Sequence, residues 1–87
     1  MRLGESMAAC QIAFAPIGTP DYLDGIRQVL RIIKDSGLEY DIGDLSTVVK
    51  GDDRKVLELI ETIYLSMKDR GAFIMDIRLS NRCGCES

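Results

Sequence analysis

The sequence predicts an α+β domain whose elements follow one another in the order strand, helix, strand, strand, helix, strand. Three observations support this class. Two segments alternate their side chains with the period of a strand, two segments carry apolar residues at helical spacing, and a Gly-Asp turn separates the middle strands. Because each half is a strand, a helix and a further strand, right-handed crossovers place both helices on one face of the sheet.

The first predicted strand covers residues 8–17. Its two faces differ in side-chain size, as expected of a strand that is buried on one side only. The large face carries Cys10, Ile12 and Phe14, and the small or polar face carries Gln11, Ala13 and Ala15. Pro16 belongs near the end of this strand because it cannot donate a hydrogen bond to a neighbour.

The first predicted helix follows directly. Thr19 has the side chain of an N-cap, Pro20 suits the first helical position, and Gly37 ends the helix in the left-handed conformation. Gly25 weakens the helix and leaves room for close packing or for the approach of a ligand. The apolar side of the helix is predicted to contain Tyr22, Ile26, Val29, Leu30 and Ile33.

The middle strands are predicted as a hairpin, with residues 38–42 and 45–50 joined by a turn at Gly43 and Asp44. The second of these strands is rich in β-branched residues, and Thr47 places a hydroxyl in the apolar run. Two interpretations of Thr47 are open. Its methyl group packs in the core while its hydroxyl bonds to the backbone, or the hydroxyl contacts a ligand.

The second helix is predicted from residue 53 to about residue 70, with Asp52 as its N-cap and Gly71 after its end. Its apolar stripe is predicted to contain Val56, Leu57, Ile60, Ile63, Tyr64 and Met67. The last strand, residues 72–80, alternates between an apolar face and a mixed face. These faces carry Phe73, Met75, Ile77 and Leu79, and Ile74, Asp76 and Arg78, respectively.

This element order is that of a ferredoxin-like sandwich, a four-stranded antiparallel sheet with two helices on one face. The first and third strands are expected at the centre of the sheet and the others at its edges. The face away from the helices would show small and charged residues, namely Gln11, Ala13, Ala15, Asp76 and Arg78. Because a bare sheet face is a liability, we expect a second copy to cover it in a homodimer or homotetramer.

Composition limits the function further. The 87 residues are 46% hydrophobic and carry a net charge of −3, which fits one globular domain and argues against a nucleic-acid partner. No apolar run is long enough to span a membrane. Residues 7–18 superficially resemble a signal peptide, but Glu5 and Gln11 interrupt that pattern, so we expect a cytoplasmic protein. We expect a flexible extension at residues 1–7, the domain at 8–82 and a polar, cysteine-containing tail at 83–87.

Catalysis and metal binding find little support in the sequence. Histidine is absent, so no nucleophile–base pair can be assembled, and we expect no enzyme activity and no catalytic residues. The tail contains Cys83 and Cys85, but a closed zinc site needs about four ligands and only Cys10 remains. We expect no cofactor and no metal, and a thiol- or metal-dependent role of the tail is the weakest alternative.

Three short motifs stand in register over roughly residues 8–82: Ala-Pro-Ile-Gly-Thr at 15–19, Ser-Gly-Leu-Glu-Tyr at 36–40 and Ser-Thr-Val-Val-Lys-Gly at 46–51. Together they resemble the small thiamine-binding protein family (YkoF-like). The resemblance implies a ferredoxin-like fold and homo-oligomers, commonly tetramers built from sheet-to-sheet dimers. It also implies binding of thiamine (vitamin B1), or of its hydroxymethylpyrimidine moiety, without catalysis.

The chain departs from the family's pattern at several positions. Members usually carry Glu where Lys50 stands, Gly where Ser46 stands, and an acidic pair at residues 80–81. Because thiamine contains a cationic thiazolium ring, the loss of a carboxylate near the site weakens the electrostatic attraction for it.

An aminopyrimidine offers ring-nitrogen acceptors and an amine donor, which suits an apolar pocket containing a few hydroxyl groups. Under the resemblance, Thr47 is the first candidate for a ligand contact. The further candidates are Ser36, Thr19 and Asp76 for polar contacts, and Tyr40 and Phe14 as stacking walls. Tyr40 equally fits an ordinary core or edge role. The alternative function is a regulatory or scaffolding oligomerisation module with no small ligand.

Overall fold

The computed structural model describes residues 6–82. Its elements are β1 (Met7–Pro16), α1 (Tyr22–Asp35), β2 (Glu39–Ile42), β3 (Thr47–Asp52), α2 (Asp53–Met67) and β4 (Phe73–Ser80). The strands form one antiparallel sheet in the order β2-β3-β1-β4, with both helices packed on the same face. The predicted ferredoxin-like α+β fold is confirmed, and so is the central position of β1 and β3.

The two ends of the sequence are described only in part. Residues 6 and 7 are the described portion of the predicted extension at 1–7, and Met7 pairs with Asp52 at the start of β1. The predicted tail at 83–87, with Cys83 and Cys85, lies outside the described residues. Over residues 6–82, neither helix combines the length and the apolar character that crossing a membrane requires.

The sheet has a closed face, which the helices cover, and an open face. Side chains on β1 and β3 alternate between the two, and the closed face carries the buried residues Ala8, Cys10, Ile12, Thr47 and Val49. Strand register places Gln11, Ala13, Val48, Lys50, Asp76 and Arg78 on the open face. The predicted division of the first and last strands into two faces is confirmed.

The strands are staggered. β1 pairs with β3 over residues 7–12 only, whereas it pairs with β4 over residues 9–16. The second half of β1 therefore has a strand beside it on one side and the β2–β3 turn near it on the other. This stagger leaves space beneath α1, at the end of the sheet where β3 begins.

The start of α1 differs from the prediction. The helix begins at Tyr22 with Asp21 in the N-cap position, because Pro20 and Asp21 form a turn before it. The hydroxyl of Thr19 accepts a hydrogen bond of 3.2 Å from the backbone N–H of Asp21, so Thr19 stabilises this turn and is not the N-cap. At the other end Gly37 has φ +80°, which confirms the predicted left-handed position.

The buried side of α2 also differs from the prediction. Leu57 and Tyr64 were expected in the apolar stripe but are 51% and 52% exposed, whereas Leu59 is buried. The helix is apolar on most sides, so its sequence does not fix which side meets the sheet. It ends at Met67 rather than near residue 70, and Asp52 occupies the N-cap position without a side-chain capping bond. Tyr22 on α1 is likewise about half exposed.

The second hairpin strand begins later than predicted, while the first ends at residue 42 as expected. β3 begins at Thr47, so Leu45 belongs to the turn and not to the strand. The Leu45 side chain is 90% exposed, which is unusual for a leucine in a small domain.

Candidate ligand-binding site

A cavity of about 240 Å³ lies between α1 and the sheet, where the stagger of β1 and β3 leaves space. We call it the Thr47 cavity. Its walls combine apolar side chains of β1 and α1 with the more polar hairpin. They are formed by Ile12 and Phe14 of β1, Ile26, Val29, Leu30 and Ile33 of α1, and residues 42–47 of the hairpin. The polar side chains of the lining, Asp44, Ser46 and Thr47, all come from the hairpin.

Thr47 is the buried polar group of this cavity. Its side chain is only 6% exposed, and its hydroxyl makes no hydrogen bond with any of residues 6–82. A buried polar group without a partner costs about 1–3 kcal/mol, so such groups call for an explanation. The backbone-bonded hydroxyl that the sequence left open is not observed in this part of the chain. A threonine hydroxyl can both donate and accept a hydrogen bond.

The β2–β3 turn forms the rim of the Thr47 cavity. The backbone N–H of Gly43 donates to the carbonyl oxygen of Ser46 at 2.8 Å, which closes the turn. The side-chain amide of Gln11 donates to the hydroxyl of Ser46 at 2.9 Å and so ties the turn to β1. Asp44 and the exposed Leu45 also line the cavity at this rim.

A second cavity, of about 310 Å³, shares the lining residue Phe14 with the first. We call it the Asp24 cavity. The Phe14 and Phe73 rings pack in it with their centroids 4.9 Å apart and tilted by 33°. A guanidinium nitrogen of Arg70 donates to a carboxylate oxygen of Asp24 at 3.2 Å, with both side chains about half exposed. Its lining also contains Pro16, Thr19, Asp21, Gly25 and Met67.

Three of the six predicted site residues line these two cavities, but no single cavity contains all three. Thr47 and Phe14 line the Thr47 cavity, and Phe14 and Thr19 line the Asp24 cavity. Phe14 thus borders both cavities. Thr19 is exposed and its hydroxyl already accepts the bond from Asp21.

The other three predicted residues lie elsewhere. Ser36 is the C-cap residue of α1, where its hydroxyl donates to the Ile33 carbonyl at 2.6 Å and accepts from the Leu38 N–H at 3.1 Å. Tyr40 is on the edge strand β2, partly exposed and opposite Val49. Asp76 is on the open face, where it lines a shallow recess with Gln11 and Arg78. None of these three lines the Thr47 cavity.

Several cavity residues were not singled out by the sequence. Ile26 and Leu30 were expected only as core residues, and Asp44 only as a turn residue, yet all three line the Thr47 cavity. The closeness of Asp44 to Thr47 in the sequence was the one available signal. The contribution of α1 had none, because its residues are distant in sequence from the hairpin.

Reactive and metal-binding groups are sparse in the described part of the chain. Cys10 is buried on the closed face, and burial raises the pKa of its thiol above the ordinary value. The neutral thiol is therefore favoured over the nucleophilic thiolate. Among residues 6–82, no three His, Cys, Asp or Glu side chains are grouped so that they could hold a metal ion.

Solved structures of low sequence identity share this fold. A protein from Thermotoga maritima with a provisional assignment to thiamine biosynthesis or salvage is 16% identical, with a TM-score of 0.77 over 85% of this chain and 82% of that one. A domain of unknown function from Bacillus cereus is 18% identical, with a TM-score of 0.78 over 97% and 84%. A hypothetical protein from Methanocaldococcus jannascii is 13% identical, with a TM-score of 0.80 over 93% and 86%.

At such identities the likeness shows the fold alone. No curated protein sequence is significantly similar to the chain. The model of the YkoF-related family matches residues 7–86, which is nearly the whole sequence and includes every helix and strand described above. The chain therefore belongs to the YkoF-related family.

Proposed function

We propose that the chain binds thiamine or its hydroxymethylpyrimidine moiety without catalysis, with the pyrimidine ring in the Thr47 cavity. Membership of the YkoF-related family supports this proposal, as does the thiamine-related assignment of the Thermotoga maritima protein. The observation that carries it is Thr47, a buried residue that lines this cavity and whose hydroxyl has no hydrogen-bond partner within residues 6–82.

The chemistry of an aminopyrimidine matches the lining of this cavity. The ring is flat and its nitrogens accept hydrogen bonds, so the Thr47 hydroxyl can donate to one of them. Phe14 and the apolar side chains of α1 supply the surfaces that cover the two sides of the ring. The carboxylate of Asp44 at the rim can accept from the exocyclic amine.

The size of the cavity favours one ring over a larger ligand. Its volume of about 240 Å³ is below the range of roughly 300–1,000 Å³ typical of pockets for drug-sized molecules. The pyrimidine half of thiamine is therefore the part that the Thr47 cavity encloses.

Binding rather than reaction is proposed because the sequence contains no evident pair of a nucleophile and a general base. The sequence contains no histidine, and the Cys10 thiol is held in its neutral form by burial. In this proposal the protein acts in the cytoplasm, and ligand binding requires no cofactor, metal, nucleic acid or membrane.

The proposal includes a homo-oligomer that forms through the open face. This face combines small residues of β1 with the half-exposed Ile74 and with charges of both signs on neighbouring strands. A second copy would remove the apolar part from water and pair the charges. The family resemblance implies sheet-to-sheet dimers and, commonly, tetramers of this kind.

Calorimetric titration with thiamine and with hydroxymethylpyrimidine tests the proposed function. The variant Thr47→Val keeps the shape of the side chain but removes the hydroxyl. We expect it to weaken the binding of both ligands about tenfold, because one hydrogen bond in a buried site is lost. Thr62→Val, on the exposed side of α2, is the matched control and should bind like the wild type.

Two results would contradict the proposed site. Thr47→Val that binds like the wild type would show that the hydroxyl is not a ligand contact. Absence of heat with the wild type at millimolar ligand would instead favour the scaffolding module. Unfolding of each variant in urea confirms that it is folded at the titration temperature.

A further inference from the structure

The turn between β2 and β3 borders a cavity on each face of the sheet. On the closed face, residues 42–47 line the Thr47 cavity. On the open face, Leu45 and Ser46 line the shallow recess that also contains Asp76, which we call the open-face recess. The pairing of β3 with β1 stops at Thr47, so the turn lies beyond the paired strands and reaches both faces.

Leu45 is the residue of this turn whose exposure calls for an explanation. It is 90% exposed, whereas every other leucine among residues 6–82 is at most 51% exposed. Turn positions normally carry glycine, proline or small polar residues, because these suit the backbone of a turn. An apolar side chain in such a position gains free energy when another surface covers it. Leu45 is therefore a candidate contact residue for a partner.

The open-face recess fits a second copy of this chain as that partner. Its volume is about 550 Å³, and the small side chain of Ala13 leaves space in it beside the charged residues of β4. Those residues, Asp76 and Arg78, carry opposite charges, and neither has an ion-pair partner in the part of the chain that the structure describes. Because a two-fold axis brings one patch against itself, Asp76 of each copy can meet Arg78 of the other. A patch with charges of one sign would instead repel its own copy.

We propose that Leu45 of each copy packs on the open face of the other, and that this contact couples self-association to ligand binding in the Thr47 cavity. This inference rests on the proposed function, which includes both the ligand and association through the open face. The coupling element is the turn at residues 43–46. Occupancy of the cavity and the oligomeric state of the protein then depend on each other.

The hydrogen bonds of the turn give this coupling a physical basis. Ser46 is held twice: its carbonyl oxygen accepts from the N–H of Gly43 at 2.8 Å, and its hydroxyl accepts from the side-chain amide of Gln11 at 2.9 Å. Gln11 is exposed on the open face, so a covering copy excludes water from the second bond and strengthens it. The turn is then fixed in the position in which Asp44 and Thr47 line the cavity, and the ligand has less ordering left to do.

Coupling between two sites is reciprocal, which gives a measurement on the wild-type protein. If association tightens ligand binding, the ligand must tighten association by the same factor. We expect saturating hydroxymethylpyrimidine to lower the dissociation constant of the oligomer about fivefold or more. Light scattering with size-exclusion chromatography over a range of protein concentrations, with and without hydroxymethylpyrimidine, measures this shift.

Two variants test the contact from its two sides. Leu45→Ser removes the apolar side chain of the turn. Ala13→Glu adds a charge and bulk to the recess at a residue that does not line the Thr47 cavity, so it acts on the ligand only through association. We expect each variant to raise the dissociation constant of the ligand-free oligomer about tenfold or more. Each should also weaken hydroxymethylpyrimidine binding about fivefold, at a protein concentration at which the wild type is associated.

Each variant has a matched control on α2. Leu57→Ser makes the same replacement at a leucine that is half exposed, and Ser66→Glu adds the same charge at an exposed position. Both controls should associate and bind hydroxymethylpyrimidine like the wild type. Urea unfolding of all four variants confirms that they are folded under the conditions of the titrations.

The possible results separate this inference from the proposed function. Association that hydroxymethylpyrimidine strengthens, together with the two losses in Leu45→Ser and Ala13→Glu, supports the coupling. Association of the wild type that does not respond to the ligand overturns it, and so does a wild type that stays monomeric. Weaker ligand binding in Leu45→Ser with intact association also overturns it, because Leu45 would then contact the ligand directly. In each of these cases Thr47-dependent binding leaves the ligand proposal standing, whereas a wild type that binds neither ligand overturns both.

Discussion

The closed and open faces of the sheet are built from alternate residues of the same strands, yet they have different physical properties. On β1, Ile12 is 3% exposed beneath the helices, while its neighbours Gln11 and Ala13 belong to the open face. The closed face combines a packed core with cavities, because rigid helices cannot follow the staggered strands everywhere. The open face is small-residue and charged, with Glu39 of β2 opposite Lys50 of β3. The proposed ligand site lies on the first face, and the proposed surface for self-association is the second.

The largest expected effect is a difference in the stability lost when the same side chain is truncated on the closed face and on the open face. Ile12→Ala on the closed face should lower the free energy of unfolding by about 2–5 kcal/mol, because it removes buried atoms and enlarges a cavity. Ile74→Ala removes the same atoms from the open face, where Ile74 is 54% exposed, and should cost less than about 1 kcal/mol in the monomer. Urea denaturation of both variants measures the difference in their free energies of unfolding. The slopes of the free energy against urea concentration should be the same in both.

Equal losses in these two variants would contradict the division into a core face and a surface face. The comparison becomes sharper at different protein concentrations. If a second copy covers the open face, the loss in Ile74→Ala should grow with protein concentration while that in Ile12→Ala does not.

The next effect concerns association through the open face. Ala13 lies in the middle of that face on a central strand, with Asp76 of β4 directly opposite. Ala13→Glu adds bulk and a second negative charge at this point, so we expect the dissociation constant of the oligomer to rise about tenfold or more. Light scattering with size-exclusion chromatography measures the mass. Ser66→Glu, on the exposed side of α2, adds the same charge and should leave the mass unchanged; loss of the oligomer in both variants would point to a general charge effect.

The smallest effect is a pH dependence that arises on the closed face. Because burial raises the pKa of Cys10, the unfolded chain loses this thiol proton at a lower pH than the folded protein does. The contribution of Cys10 to stability is therefore complete below the ordinary thiol pKa and falls as the pH rises above it. The test compares two proteins in which Cys83 and Cys85 are replaced by serine, one with Cys10 and one with Cys10→Ala. Between neutral and alkaline pH, urea denaturation should show a steeper fall in the free energy of unfolding for the protein that keeps Cys10. Parallel curves would show that Cys10 does not contribute.

The sequence was a good guide wherever a local pattern determines the structure. The alternation in β1 and β4 predicted which residues face the helices, and the glycine after α1 predicted the left-handed position at Gly37. The order of the elements then led to the sheet order, because few connections are physically allowed.

The sequence was a poor guide wherever the structure depends on contacts between distant segments. On α2, apolar residues surround most of the helix, so only packing on the sheet selects Leu59 for burial in place of Leu57 and Tyr64. The candidate site shows the same limit. Thr47 and Phe14 could be named individually, but their shared cavity exists only because α1 crosses above the end of β3.

The unequal pairing of β1 with its two neighbours has a consequence for how binding preference can change. The Thr47 cavity lies where the pairing of β1 with β3 stops, so its position depends on the backbone of the sheet. New ligand preferences are then accessible through single side-chain replacements at strand ends and along one helix. No insertion is required, and the fold is kept while the chemistry of the recess is altered.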